Sequence, residues 1–91
     1  MRSKLHLSVR PPHEAARRIA RWVVTLPEGL DEAARMIAVP ANYLQRMVEG
    51  EMVPGLSAGI RLRRHVGITA RDFRQPAQGG WFDRLPFARA A

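Results

Sequence analysis

Apolar residues recur at helical spacing through most of this chain, in short stretches separated by proline and glycine. Ala15, Ile19, Trp22 and Leu26, widened by Ala16 and Val23, predict a first helix over roughly His13 to Thr25. Pro12 suits its first turn, Glu14 suits its positive end, and Arg17, Arg18 and Arg21 lie off the stripe. Leu26-Pro27-Glu28-Gly29 breaks the chain. Leu30, Ala33, Ala34 and Ile37 then give the inner face of a second helix, Ala38-Val39-Pro40 makes a turn, and a third helix covers about Ala41 to Glu49. Leu44, Met47 and Val48 point inward from it, and Gly50 ends it. A fourth helix from about Leu56 to Val66, with Leu56, Ile60 and the stem of Arg63 inward, stops at Gly67. Thr69 is placed to cap a short fifth helix, Ala70 to Arg74, whose Phe73 closes the core.

The two ends differ from this helical middle. Lys4 to Arg10 alternates polar and apolar residues, the signal of a short strand. No partner strand is evident, so the segment is either a basic arm or an edge that pairs with its copy in a dimer. Beyond Gln75, the run Pro76-Ala77-Gln78-Gly79-Gly80 reads as a linker, followed by Trp81, Phe82, Leu85 and Phe87. These large apolar side chains are expected to leave water, packing on their own domain, bridging to a second subunit or docking on another protein. The chain therefore divides into a basic arm (1–11), a helical domain (12–75) and an aromatic tail (76–91).

Ninety-one residues make one small domain with a thin stability margin, which a dimer partner would widen. Cysteine is absent, and His6, His13 and His65 lack ligand spacing, so no metal site is expected. No serine sits in a nucleophile motif and no glycine-rich phosphate loop is present, so neither catalysis nor a cofactor is expected. No apolar run reaches the ~18 residues of a membrane span, and a cytoplasmic, nucleoid-associated protein is the expectation.

The net charge of +7 points to a polyanionic partner, although arginine- and alanine-rich usage is also what a GC-rich genome produces. Arg2, Lys4, Arg10, Arg17, Arg18 and Arg21 face only Glu14, and Arg61, Arg63, Arg64, Arg71 and Arg74 face only Asp72. The segment between these clusters is slightly acidic. Such a layout separates cations that hold a phosphate backbone from an element that reads bases.

The text Leu30-Asp31-Glu32-Ala33-Ala34-Arg35-Met36-Ile37-Ala38-Val39, then Tyr43-Leu44-Gln45-Arg46-Met47, Gly50, Pro54, Leu56, and Val66-Gly67-Ile68-Thr69 with Asp72-Phe73, resembles the lambda-repressor-like (Cro-type, XRE-type) helix-turn-helix regulators. The resemblance covers about half the chain. It implies an all-α, compact five-helix fold whose third helix enters the DNA major groove. It further implies that Ala41, Asn42, Gln45 and Arg46 meet base edges. Tyr43, Arg35, Arg17, Arg18, Arg61 and Arg64 are the candidate backbone contacts, and Trp81, Phe82, Leu85 and Phe87 the candidate dimer or partner contacts. Ala38 stands where the family often has glycine, so a left-handed turn there costs about 1–2 kcal/mol.

The expected function is sequence-specific transcriptional regulation, by repression or activation, in a bacterium, phage or other mobile element. The expected partners are an inverted-repeat DNA operator, a second copy of the chain and, for activation, RNA polymerase. A protein-interaction adaptor and a sequence-independent nucleoid protein are the alternatives.

Overall fold

The computed structural model describes residues 4–82. Among them are four α-helices, α1 (Glu14–Val23), α2 (Gly29–Ile37), α3 (Ala41–Val48) and α4 (Leu56–Val66), followed by a 3₁₀ helix at Ala70–Arg74. The all-α class holds. The fifth element is a single 3₁₀ segment instead of an α-helix, held where the Asp72 carboxylate accepts the Thr69 N–H at 2.9 Å. Its Phe73 is half-buried against the core and meets the His13 ring at 5.1 Å.

The core is small and lined with alanine. Ile19, Ile37, Leu44, Met47, Leu62 and Ile68 fill it, while Ala15, Ala16, Ala20, Ala33 and Ala34 let the helix backbones approach closely. The inward faces expected for α1, α2 and α3 are the buried ones. Trp22 is only half-buried and stacks on His65 at 6.1 Å between centroids.

On α4 the expectation was wrong. Leu56 is 85% exposed and Ile60 52% exposed, Arg63 is exposed, and the inward residues are Ala58 and Leu62. Leu56, Ala58, Ile60 and Leu62 alternate along the helix, so the pattern offered two apolar faces. The face carrying Ala58 and Leu62 is the one buried.

No strand forms among the described residues. Without a partner strand, the backbone at 4–10 finds other hydrogen bonds. Gln45 Oε1 accepts the His6 N–H at 2.9 Å, and Trp81 Nε1–H donates to the Ser8 carbonyl at 2.7 Å. Leu5 packs against the core. The arm is thus a strap between α3 and the tail.

A buried carboxylate fixes that tail. Glu14, expected as a terminal charge, is 1% exposed, and Arg17, expected in solvent, is 3% exposed. Glu14 accepts from Arg17 Nη1 and Arg18 Nε, each at 3.0 Å, and from the Gln78 N–H at 2.8 Å. The Glu14 N–H donates to the Gln75 carbonyl at 2.9 Å, and Arg17 Nε donates to the Gly80 carbonyl at 3.2 Å. Trp81 is consequently buried, packing on its own chain. Phe82 is half exposed, and Leu85 and Phe87 lie outside the described residues.

Two stability tests follow from the start of α1. Glu14→Ala leaves the Arg17 guanidinium buried without its carboxylate and should cost about 3–5 kcal/mol in urea unfolding. Arg18→Ala removes a partly exposed partner and should cost no more than about 1 kcal/mol. A reversed ranking would show that Arg17 is not the partner that matters.

His13 caps α1, its Nδ1 accepting the Ala16 N–H at 3.0 Å. Only an unprotonated Nδ1 can accept. Burial lowers the imidazole below its ordinary 6.5, outweighing a backbone hydrogen bond that raises it. The folded protein therefore binds this proton less readily than the unfolded chain does. The His13 contribution is complete above pH 6.5 and is lost as the pH falls below that value toward the folded-state pKa. His13→Asn keeps a capping side chain and should flatten the unfolding free energy between pH 7.5 and 5, measured by urea titration at each pH.

Candidate nucleic-acid interface

The candidate interface is built on α2, the turn after it and α3. α2 ends with Ala38 in the left-handed conformation (φ 60°, ψ 45°), the single non-glycine residue with positive φ among those described. The Val39 N–H reaches back to the Ala34 carbonyl at 3.0 Å, and the Ala38 N–H to that of Arg35 at 3.2 Å. This closing pattern satisfies the last carbonyls of α2 and turns the chain sharply. Pro40, extended at φ −63°, starts α3.

α3 is anchored along one side and open on the other. Leu44, Met47 and Val48 are at most 1% exposed, and Ala41 is half-buried against the core. At about 100° per residue, Asn42 and Arg46 lie nearly opposite this buried stripe. Both are exposed, and Tyr43, 41% exposed, sits on one shoulder. The other end is fixed at Gly50 (φ 81°), where an added Cβ would come within 2.8 Å of Pro12.

Gln45 occupies the opposite shoulder and is already engaged. Its Oε1 accepts the His6 N–H, and its Nε2 donates to the His6 carbonyl at 2.8 Å and to Glu49 Oε2 at 2.9 Å. Of the four side chains expected at base edges, Asn42 and Arg46 are presented to solvent, Ala41 is tucked at the core edge, and Gln45 clasps the arm. The acidic residues near this face, Glu49 and Glu51, are exposed.

The expected backbone-contacting cations divide similarly. Arg64 is exposed, Arg61 is half-exposed with Nη1 donating to Ser57 Oγ, and Arg18 is half-exposed beside Glu14. Arg35 is exposed and ion-paired with Glu28. Arg17 is unsuited to phosphate because its guanidinium is buried against Glu14 and the tail. Sequence spacing placed it off the apolar stripe, but its guanidinium donates to the Gly80 carbonyl 63 residues away, and its neighbour Glu14 accepts from Gln78, 64 residues from that carboxylate. No local signal reports such contacts.

Among the described residues, no group of three or more His, Asp or Glu side chains could hold a metal ion. No helix among them is long and apolar enough to cross a membrane. The chain matches no known protein family, no characterised protein and no solved structure.

The turn supplies its own test. Ala38→Gly removes the left-handed penalty at an exposed position and should stabilise the domain by up to about 1 kcal/mol. Thermal unfolding of the two proteins under one condition measures it, and a destabilised glycine variant would contradict the turn geometry.

Proposed function

We propose that the chain is a small sequence-specific DNA-binding regulator of the lambda-repressor-like helix-turn-helix type, with α3 as its recognition helix. The observation that carries this function is the open face of α3. Asn42 and Arg46 stand one helical turn apart on a short helix whose opposite side is locked into the core. Their chemistry suits the major groove, since Asn pairs bidentately with adenine and Arg with guanine. Arg18, Arg61 and Arg64, with Lys4 on the arm, supply phosphate contacts around this element. One recognition helix reads few base pairs, so selectivity takes two copies on an inverted repeat with half-sites about one helical turn apart.

In this scheme Gln45 works through the arm. Its amide is spent on His6, so it holds Lys4 to Arg10 beside the recognition helix instead of reading a base.

Binding to a randomised duplex pool, followed by affinity measurement on the preferred and scrambled sites, tests the scheme. Arg46→Ala should lose about 1–3 kcal/mol on the preferred site and relax selection at one base pair. Gln45→Ala should weaken preferred and scrambled sites alike, reduce the salt dependence and leave the base profile intact. Equal losses on both sites for Arg46→Ala would remove α3 from recognition and favour sequence-independent binding.

A further inference from the structure

α4 is apolar on two sides, and only one of them is covered. At about 100° per residue, Ala58, Leu62 and Val66 form one stripe, and Leu56 and Ile60 form a second about 140° away. The first faces the core. The second stands in solvent, with Leu56 85% and Ile60 52% exposed, and neighbouring Val53 is 64% exposed. An exposed apolar patch rimmed by polar groups is the usual mark of an interaction site.

Leu56 and Ile60 border a groove of about 310 Å³ between α4 and the 3₁₀ helix. Pro54, Leu56, Ile60, Ile68 and Phe73 line it, and Arg63 is its one charged lining residue among those described. An adjoining hollow shares Pro54 and Phe73 and adds Val53 and Arg74. Among the described residues, no carboxylate lines either one. The surface is therefore an apolar trough with guanidinium groups on its rim.

We propose that this trough docks a short acidic amphipathic segment of another protein. Its apolar side chains enter between Leu56, Ile60 and Phe73, and its carboxylates meet Arg63 and Arg74. Charge selects this occupant over two others. A second copy seated symmetrically would bring Arg63 and Arg74 toward their own counterparts, a like-charge juxtaposition that interfaces avoid. The chain's own residues 83–91 carry Asp83 against Arg84 and Arg89, so they too bring net positive charge. An acidic helix-in-groove ligand satisfies both the apolar floor and the rim.

The test uses the full chain and three fluorescein-labelled peptides, with anisotropy as the readout. The first is a ~12-residue peptide with Leu at helical i, i+3, i+4 and i+7 positions and Glu elsewhere. The second replaces its Glu with Lys, and the third replaces its Leu with Ser. The Leu/Glu peptide should bind at least about tenfold more tightly than either control. Leu56→Ser and Arg63→Glu should each weaken it about tenfold, while Arg10→Glu, removing the same charge elsewhere, leaves it unchanged. Leu56 is 85% exposed, so its variant should keep the parent's melting curve.

Equal binding of the Lys peptide, or a Leu56→Ser variant that binds as the parent does, would overturn the proposal. So would a dimer in sedimentation that Leu56→Ser dissociates, which would give the face to a second copy. A rise in peptide affinity on Leu85→Ser with Phe87→Ser would give it to the chain's own tail. None of these measurements involves DNA, so they succeed or fail separately from the recognition role of α3.

Discussion

A carboxylate removed from water must find donors for its oxygens, and most of the architecture around α1 can be traced to how Glu14 finds them. Isolated, its burial would cost several kcal/mol, a large share of a small domain's stability. Arg17 and Arg18 meet it because residues three and four apart lie on one helix flank. Two guanidinium groups answer the charge, and the Gln78 N–H from beyond the helical region completes the set. That last bond carries consequences. It fixes the segment after the 3₁₀ helix, which places Trp81 under the arm, and Trp81 holds the arm at Ser8. The arm in turn presents the His6 backbone to Gln45. A polar contact at the start of α1 thus reaches the candidate recognition helix through three successive layers of backbone hydrogen bonds.

The parts of this molecule legible in the sequence are those governed by local periodicity. The stripes of α1, α2 and α3 and the glycines ending α3 and α4 follow from spacing or turn chemistry, while the left-handed position at Ala38 was raised by the family resemblance. Hidden from the sequence are choices made between distant segments. Lys4 to Arg10 has strand alternation, yet a strand needs a neighbour, and here the available partners were a glutamine side chain and an indole. Arg17 carries every mark of a solvated cation until the tail closes over it. At the candidate site, Asn42 and Arg46 were singled out by the family resemblance, and their exposure agrees with the helical phase set by Leu44, Met47 and Val48. The engagement of Gln45 could not be read, because its partner lies 39 residues away.

α4 shows a subtler limit. Alternating apolar residues on a helix are a conflict between two periods, and the conflict was settled by the shape of the surface it docks on. The buried stripe carries Ala58 and Leu62, and Leu62 joins the core cluster with the alanines of α1 and α2. The result keeps the bulkier stripe outside, where each large side chain forgoes about 1.5–3 kcal/mol of burial. A helical template applied to 56–66 finds both apolar faces, but which of them stays outside is a property of packing.

The same logic separates the two faces proposed for partners. On α3 the exposed side chains are polar, long enough to reach a base edge, and set on a helix whose position the core fixes. On the α4 side they are aliphatic, with arginines at the margin. Water can be stripped from the second face at little cost and from the first only when hydrogen bonds replace it. A nucleic acid answers the first condition with base edges and phosphates. The second is answered by a protein surface with its own apolar side chains. The arm sits on the α3 side, tied to Gln45 and Trp81, so any change in it is felt first at the polar face. The apolar trough rests on Phe73 and Ile68, whose positions depend on the 3₁₀ helix and the His13 ring instead. Both surfaces meet at the start of α1, where the His13 ring touches Phe73 and Glu14 holds the chain at Gln75 and Gln78.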